Sequence, residues 1–411
     1  MVHQPPAGAR DLLPLEVTQK RWIADHLQQV FHRWGYHQII TSTLEWLDTL
    51  TAGGAVQGST VLQLQEAEEG TLGLRPELTA SIARATATRI AGSSSEACLS
   101  LPQRLFYNAN VFRRPPMGYH GRQMEFYQSG VELLGAGGLL ADAEILLLLT
   151  DCLNQVGCSK WYVILGEAGL TRSLLSPFPP PLRDKVRTAI AHLDRVTLET
   201  LPLSPELRER ALCLFELRGR PEDVLQKVAH LNLDASEQAI VNNLKSLIDL
   251  INESATTPVP LILDLSLVQT FDYYTGIVFE VVSDRDTNQR VLGQGGRYDQ
   301  LLGLYHPQGE SYPGIGFSLN IEDLHYILVS SSQLPRQIPA SDWLVVSQTP
   351  QAEAAAFTYA QKLRDSEHLV RVEMDLGGRT PDEVREYARH HDICHIAWIN
   401  GDGMPTIETV S

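Results

Sequence analysis

Long apolar runs and a cysteine pattern are both missing from this 411-residue chain. The most apolar stretch, Ile145–Leu149, is bounded by Glu144 and Thr150 and is far too short to span a membrane. The first six residues lack the basic segment and apolar run of a signal peptide, so a cytoplasmic location without membrane attachment is predicted. The five cysteines are odd in number and follow no spacing pattern, which predicts reduced thiols: Cys98, Cys152, Cys158, Cys213 and Cys394.

An excess of positive charge is also missing. The chain has 33 basic and 49 acidic residues, for a net charge of −16. Nucleic-acid binding draws most of its affinity from cationic contacts, so this balance is a bias against tRNA as a partner, which a local basic patch would offset. Apolar residues make up 43% and charged residues 20%, as is typical of globular proteins, and the length predicts two or three domains.

Hydrophobic spacing predicts a sheet flanked by helices. A helix over residues 15–34 is indicated by apolar residues at helical spacing, namely Ile23, Leu27, Val30, Phe31 and Trp34. Strands are predicted at residues 39–44, 104–112 and 125–134 and within 261–282. Their irregular spacing argues against a regular strand–helix repeat and favours an α+β domain with an antiparallel sheet.

Two further regions have a different character. Helix-like segments fill residues 166–255 and predict a helical insertion. After a linker, strand and helix patterns alternate and predict a small α/β domain, in which Thr380–Glu383 has the pattern of a capping box. The predicted organisation is a sheet core in two parts, 1–165 and 256–330, the insertion at 166–255, and the α/β domain at 340–411.

Four groups of motifs follow one another in the order found in one enzyme family. They are GARDLLP at 8–14, LRPELTA at 74–80, the segment 112–132, and LVQTFDYYTG at 267–276 with GQGGRYD at 293–299 and PGIGF at 313–317. Together they resemble the histidyl-tRNA synthetases, which are class II enzymes, over nearly the whole chain outside the insertion. The resemblance implies the antiparallel sheet of class II enzymes. It also implies that residues 340–411 form an α/β domain similar to a truncated anticodon-binding domain.

The resemblance also implies a pocket for histidine. Glu77 and Thr79 would bind the ammonium group, and Arg113 with Gln128 would bind the carboxylate. Glu132 and Tyr274 would each face one nitrogen of the imidazole, and Tyr273 would shape the wall. Taken singly, each residue is more often a solvated or core side chain than a ligand; the prediction comes from their joint order.

Three departures from the family pattern concern the chemistry. Gln269 and Asp323 stand where the synthetases have arginines, and Pro115 and Pro116 follow Arg113 where an acidic residue is expected. Amino-acid activation needs cations around the phosphates of ATP, because charge moves onto them during the reaction. Loss of two arginines and gain of an anion that repels the triphosphate predict a protein that binds histidine without activating it.

These departures resemble the synthetase-like family whose members are regulatory subunits of ATP phosphoribosyltransferase. That resemblance implies a non-catalytic protein with histidine as effector, a homodimer within a hetero-oligomer, and a short-form catalytic subunit as partner. The partner joins ATP to phosphoribosyl pyrophosphate in the first step of histidine biosynthesis. Two alternatives stay open, a working synthetase with relocated cations and a synthetase-like protein that binds tRNA or another protein for signalling.

No cofactor or metal is implied by the sequence. Gly293, Gly295 and Gly296 match neither a P-loop nor a dinucleotide fingerprint, so a turn beside a pocket strand is predicted there. The residues His390, His391, Cys394 and His395 can each ligate metals but do not have the spacing of a zinc site.

Overall fold

The computed structural model describes residues 3–54, 56–66, 70–90, 100–114, 123–267, 273–284, 289–330 and 332–410, without the side chains of residues 65 and 66. The chain divides into two units, Met1–Leu334 and Pro335–Ser411. Gln269, Pro115 and Pro116 lie outside the described residues, so their roles stay predictions. The finer subdivision of the first unit likewise stays a prediction.

The first unit combines helices with two sheets. Its helices are α1 Pro14–Arg33, α2 Leu47–Thr51, α3 Thr79–Ile90, α4 Leu139–Gln155, α5 Ala168–Leu175, α6 Pro180–Ala191, α7 Arg195–Thr200, α8 Pro205–Phe215, α9 Pro221–Ala229, α10 Ala235–Ser254, α11 Leu301–Tyr305 and α12 Ile321–Leu328. Its strands are β1 His37–Gln38, β2 Leu44–Trp46, β3 Leu62–Glu66, β4 Gly70–Leu74, β5 Gln103–Phe112, β6 Glu125–Leu134, β7 Trp161–Glu167, β8 Arg218–Gly219, β9 Leu261–Asp264, β10 Ile277–Ser283, β11 Val291–Arg297 and β12 Gly314–Asn320.

The large sheet has the strand order β1-β5-β6-β12-β11-β10-β7-β9-β8. The five neighbouring pairs at its centre are antiparallel: β5 with β6, β6 with β12, β12 with β11, β11 with β10, and β10 with β7. Parallel pairing occurs where β1 meets β5 and where β7 meets β9. An antiparallel sheet flanked by helices was the predicted architecture, and it is confirmed.

Helix α1 covers one face of this sheet. Pro14 lies in its first turn, and His32 and Arg33 in its last turn complement the helix dipole. Ile23, Leu27 and Phe31 recur every four residues and are fully buried, and the Phe31 ring lies 5.4 Å from that of Phe106 on β5. Burying each such side chain contributes roughly 1.5–3 kcal/mol. The predicted helix at 15–34 is confirmed with its ends shifted by one residue.

The opposite face of the sheet carries the polar residues of interest. Because side chains alternate along a strand, Tyr107, Gln128 and Glu132 project to the face opposite Phe106. Helix α3 packs on this face through Ile82, and Leu78, just before the helix, joins the same apolar cluster. The small antiparallel sheet, with the order β2-β4-β3, belongs to the same part of the unit. The side chains of Gln128 and Glu132 are therefore buried on this face of the large sheet.

The predicted strand at residues 39–44 is wrong. Strand β1 ends at Gln38 and β2 begins only at Leu44. The carbonyl oxygens of Thr41 and Ser42 accept hydrogen bonds of 2.9 and 3.2 Å from the buried Arg75 guanidinium. A side chain therefore satisfies the backbone groups that a neighbouring strand would otherwise pair.

The second unit contains α13 Glu353–Arg364 and α14 Pro381–His390 with β13 Trp343–Ser347, β14 Val372–Met374, β15 His395–Ile399 and β16 Pro405–Thr409. The sheet order is β14-β13-β15-β16, with β16 antiparallel and the other pairs parallel. Thr380 and Glu383 form the predicted capping box at the start of α14. Strand β16 was not predicted. None of the described helices has both the length and the apolar character needed to cross a membrane.

Candidate functional site

Three neighbouring glycines form the floor of the site on the central strands. Gly130 lies on β6, and Gly316 of β12 and Gly296 of β11 lie opposite each other. A Cβ atom on Gly316 would overlap the Glu132 carboxylate, and one on Gly296 would lie 2.7 Å from the Tyr274 ring. The predicted turn at Gly293–Gly296 is therefore wrong, because this stretch is a strand whose missing side chains let polar groups lie against the backbone.

Glu132 is the most deeply buried charged group of the site, with 1% of its surface exposed. Its Oε1 accepts a 2.6 Å hydrogen bond from the Thr79 hydroxyl, and its Oε2 accepts one from the Tyr298 hydroxyl. No lysine, arginine or histidine in the described part of the chain forms an ion pair with it. Burial raises the pKa of Glu132 to about 8, and the nearby Glu77 adds to the shift against the two hydroxyl donors.

Tyrosine rings surround this carboxyl group. Tyr273 and Tyr274 have ring centroids 4.7 Å apart and share a hydrogen bond between their hydroxyls. Tyr298 meets Tyr273 edge to face at 5.8 Å. Tyr107 lies over Gly130, whose Cβ would fall 2.5 Å from the tyrosine hydroxyl oxygen. Burial is the largest cause that raises the pKa of each of these four tyrosines, and the neighbouring carboxylates raise it further. All four hydroxyl groups are therefore neutral at physiological pH.

Glu77 lies beside the N-terminus of α3. Its two oxygens accept hydrogen bonds of 2.6 and 2.9 Å from the backbone N–H groups of Thr79 and Ala80. Burial raises the pKa of Glu77, while these hydrogen bonds and the charge of Arg113 oppose the rise. Glu77 therefore caps the helix and at the same time places negative charge next to Thr79, as the predicted ammonium site requires.

Arg113 is held near Glu77 with part of its guanidinium unused. Its Nε donates to the Pro76 carbonyl at 2.8 Å, while its buried Nη2 has no hydrogen-bond partner among the residues that the structure describes. Burial lowers the pKa of Arg113, and the charge of Glu77 opposes this. The unpaired Nη2 is a donor for an anion, as predicted for a ligand carboxylate.

Arg113 lines a cavity of about 850 Å³. Other lining residues come from several elements of the first unit, among them Arg10, Arg114, Phe126, Gln294, Glu322 and Tyr326. A second cavity of about 690 Å³, between α1 and strands β5 and β6, contains none of the predicted site residues. Among the described residues that line the first cavity, Arg113 is the one predicted to bind histidine.

Gln128 lies on the same face of β6 as Glu132. Its amide donates a 3.0 Å hydrogen bond to Asn320 Oδ1 on the neighbouring strand β12. The predicted residues Glu77, Thr79, Arg113, Gln128, Glu132, Tyr273 and Tyr274 thus all belong to one face of the sheet and the start of α3. Their ligand roles stay predictions.

Asp323 lines the same cavity, but its charge is compensated. Its carboxylate forms an ion pair of 2.7 Å with Arg290, whose guanidinium also stacks over the Tyr326 ring at 3.7 Å. The sequence argument that Asp323 repels a triphosphate overlooked this partner. An arginine fixed by a carboxylate and a ring has less of its charge available to clamp phosphate than one that projects unpaired.

Sequence reasoning missed three residues of the site. Tyr298 falls within the quoted motif at 293–299, but its hydroxyl received no role, although a tyrosine next to a glycine-rich strand is a usable signal. Tyr107 and Arg290 belong to no motif, and only the fold brings them to the site. Among the described residues, no group of three His, Cys, Asp or Glu side chains is arranged to hold a metal ion.

The sequence and the fold of this chain are similar to those of known proteins. The family model described as histidyl-tRNA synthetase matches residues 8–324. A solved structure from Bacillus halodurans, an ATP phosphoribosyltransferase regulatory subunit/histidyl-tRNA synthetase, has a TM-score of 0.79 at 26% identity and covers 98% of this chain and 99% of its own. A histidyl-tRNA synthetase from Nostoc sp. PCC 7120 has a TM-score of 0.76 at 20% identity, covering 99% of this chain and 97% of its own.

Curated relatives are far more similar in sequence. The ATP phosphoribosyltransferase regulatory subunit of Gloeothece citriformis is 68% identical over 100% of both chains. The protein with the same description from Nostoc sp. PCC 7120 is 64% identical, also over 100% of both chains. The one Nostoc strain thus provides both a regulatory subunit at 64% and a synthetase at 20% identity to this chain.

The fold and the family model define a protein of the class II aminoacyl-tRNA synthetase-like type. Within that type, the chain belongs to the family of ATP phosphoribosyltransferase regulatory subunits.

Proposed function

We propose that this chain is a non-catalytic subunit that supports a separate short-form ATP phosphoribosyltransferase and lets histidine control it. The partner joins ATP to phosphoribosyl pyrophosphate in the first step of histidine biosynthesis, in the cytoplasm. The observation that carries the proposal is the pairing of a buried cluster of polar and aromatic side chains with full-length relatives described as regulatory subunits.

The site matches each polar group of histidine. The unpaired Nη2 of Arg113 suits the carboxylate, and Glu77 with the lone pairs of Thr79 suits the ammonium group. Glu132 and the tyrosine hydroxyls suit the two ring nitrogens, and the neutral aromatic walls suit the ring itself.

The proposal also includes a homodimer formed through the edge of the large sheet. Strand β1 is the last strand at that edge. Apolar side chains are exposed beside it, with Ile40 at 86% and Leu44 and Trp46 above 40%. An edge strand flanked by exposed apolar residues is a surface that a second chain covers favourably.

We expect Ile40→Asp to shift the protein from dimer to monomer at low micromolar concentration. A charge on this side chain would be buried against the partner copy, whereas in a monomer it stays in water. Light scattering coupled to size-exclusion chromatography measures the mass. Leu376→Asp is the matched control, because Leu376 is 88% exposed and lies in the second unit. A monomeric wild-type protein, or a dimer unaffected by Ile40→Asp, would refute the interface.

The regulatory role is tested by mixing this chain with the short phosphoribosyltransferase of the same organism. We expect the two chains to co-elute and the rate of phosphoribosyl-ATP formation to rise when this chain is added. Histidine should lower the rate only in the mixture, because the histidine site belongs to this chain. Linkage further requires that partner and histidine alter each other's affinity unless histidine acts only on the catalytic rate.

Phenylalanine serves as the control ligand in this mixture. Its ring has nearly the size of imidazole but offers no nitrogen to Glu132, so it should leave the rate unchanged. Separate elution together with an unchanged rate would reject the assignment. Co-elution with no response to histidine would retain the partner and reject the feedback.

A further inference from the structure

Arg113 lies at the end of the hairpin formed by β5 and β6. Beyond the last strand pair, Phe112 with Glu125, the N–H of Arg113 donates to the Met124 carbonyl at 2.8 Å. Its side chain then extends to the Pro76 carbonyl, which accepts a hydrogen bond from Nε. The position of the Arg113 guanidinium therefore depends on what holds this end of the hairpin.

Two backbone hydrogen bonds hold the segment that contains Arg113. The preceding residue donates its N–H to the Arg75 carbonyl at 2.9 Å, and the following residue donates its N–H to the Thr60 carbonyl at 2.8 Å. Neither bond involves the opposite segment of the hairpin, whose carbonyl group accepts the N–H of Arg113. That segment has to be held by another part of the chain.

The N-terminal segment, residues 8–13, supplies this contact. The Gly8 carbonyl accepts a 2.8 Å hydrogen bond from the N–H of Met124. Met124 thus links Gly8 to Arg113 through its own peptide groups, because its N–H bonds to the one and its carbonyl to the other. A shift of Gly8 would reach Arg113 through a single intervening residue.

Two local contacts fix the position of the Gly8 carbonyl. The N–H of Ala9 donates to the Pro6 carbonyl at 2.9 Å and closes a turn whose third residue, Gly8, has a φ of 88°. A type II turn needs positive φ at this position, where a β-branched residue is a rare outlier. Further along the segment, Arg10 pairs with Glu16 in the first turn of α1 at 2.8 Å. The segment is therefore fixed on both sides of its contact with the hairpin.

We propose that Gly8 is a positioning residue of the ligand site. Its carbonyl group, acting through Met124, holds Arg113 where Nη2, unpaired among the described residues, meets the carboxylate of the ligand. This inference rests on the proposed histidine site. Glu132 lies further along β6, between β5 and β12, which pair with it on both sides. Displacement of Gly8 should therefore move the donor for the carboxylate and leave the contact with the imidazole in place.

The test compares histidine with L-histidinol, in which a hydroxymethyl group replaces the carboxylate. Hydrogen bonds between a guanidinium and a carboxylate are among the strong ones, so wild-type protein should bind histidine at least about tenfold more tightly. In Gly8→Val the new side chain disfavours the turn by about five- to thirtyfold, and the preference for histidine should fall by at least about threefold. Affinity for L-histidinol should stay close to that of wild type.

Titration calorimetry on the full chain at neutral pH measures both affinities for wild type, Gly8→Val, Arg113→Gln and the double variant. Arg113→Gln removes the donor for the carboxylate, so adding Gly8→Val should change the preference no further. Gly377→Val is the matched control, because Gly377 also has a positive φ, 93°, and an added Cβ would meet no atom within 4 Å. It lies in the second unit and should leave both affinities unchanged.

The outcomes separate this inference from the proposed function. An unchanged preference in Gly8→Val, or an equal loss of affinity for both ligands, would overturn the positioning role and leave the histidine site standing. A further loss of preference on adding Gly8→Val to Arg113→Gln would do the same, as would equal binding of both ligands by wild type. If Gly8→Val does not fold, Gly8→Ala, which is less strained, decides by the same comparison. Binding of neither ligand to wild type would overturn the proposed function itself.

Discussion

Purified protein will not catalyse histidine-dependent exchange of pyrophosphate into ATP. The synthetase reaction builds charge on the phosphates of ATP, and preorganised cations stabilise that charge. By the proposed correspondence with the synthetases, Gln269 and Asp323 stand in place of two family arginines. Loss of one such donor costs about 10²–10³ in rate, so two losses predict a rate lower by about 10⁴–10⁶. Arg290 does not restore the charge, because Asp323 pairs with it at 2.7 Å.

A histidyl-tRNA synthetase assayed under the same conditions provides the positive control. Histidine binding to this chain must be shown in parallel, so that lack of exchange reflects lost chemistry and not an empty pocket. Exchange at a rate typical of synthetases would refute the regulatory proposal and support the alternative of a working enzyme with relocated cations.

Glu132→Ala will weaken histidine binding by about 2–5 kcal/mol, by analogy with buried polar pairs that lose one partner. This corresponds to about 30-fold to a few thousand-fold in Kd. Truncation leaves an imidazole N–H and the hydroxyls of Thr79 and Tyr298 without their acceptor in a site closed to water. Titration calorimetry near pH 7.5 measures the change.

Glu144→Ala is the matched control for this truncation. Glu144 lies on α4 and also binds two partners, accepting from Tyr36 and Arg104 at 2.7–2.9 Å. We expect it to lower the thermal stability while leaving histidine affinity within a few-fold of wild type. Equal affinities of Glu132→Ala and wild type would mean that histidine binds elsewhere or not at all.

The sequence was most informative where local rules and packing agree. Helix α1 was predicted within one residue from its apolar stripe, and the proline in its first turn and the basic residues in its last turn favour the same element. The capping box at Thr380 likewise fixes the start of α14. In both elements the determining residues lie within one or two turns of each other.

The errors occur where distant residues decide the structure. Residues 39–43 have a strand-like composition, but two of their carbonyl groups accept hydrogen bonds from Arg75, which lies more than thirty positions away in the chain. The stretch Gly293–Gly296 was interpreted as a turn because glycine is frequent in turns. In the folded chain these glycines lie on a central strand, and Gly296 makes room for a tyrosine that precedes β10.

The candidate site also has a part that the sequence predicts and a part that only the fold shows. Its motif residues could be collected from family order, and the fold brings them to one sheet face. The Tyr298 bond to Glu132 and the Arg290 pair with Asp323 could not be predicted, since each joins positions 33 or more residues apart through side-chain geometry. Contacts of this kind decide protonation and charge, which the residue types alone leave open.

Three glycines, Gly130, Gly296 and Gly316, leave the space at the floor of the site that Tyr107, Tyr274 and Glu132 occupy. A wall made of side chains adapts to a new ligand by changing rotamers, but a central strand is held on both sides by its ladder hydrogen bonds and cannot recede. An added methyl group at Gly316 would displace Glu132, and one at Gly296 would displace Tyr274. In this fold, substitutions that change ligand preference are therefore expected among the side chains around the site. The three strand positions at its floor accept only glycine.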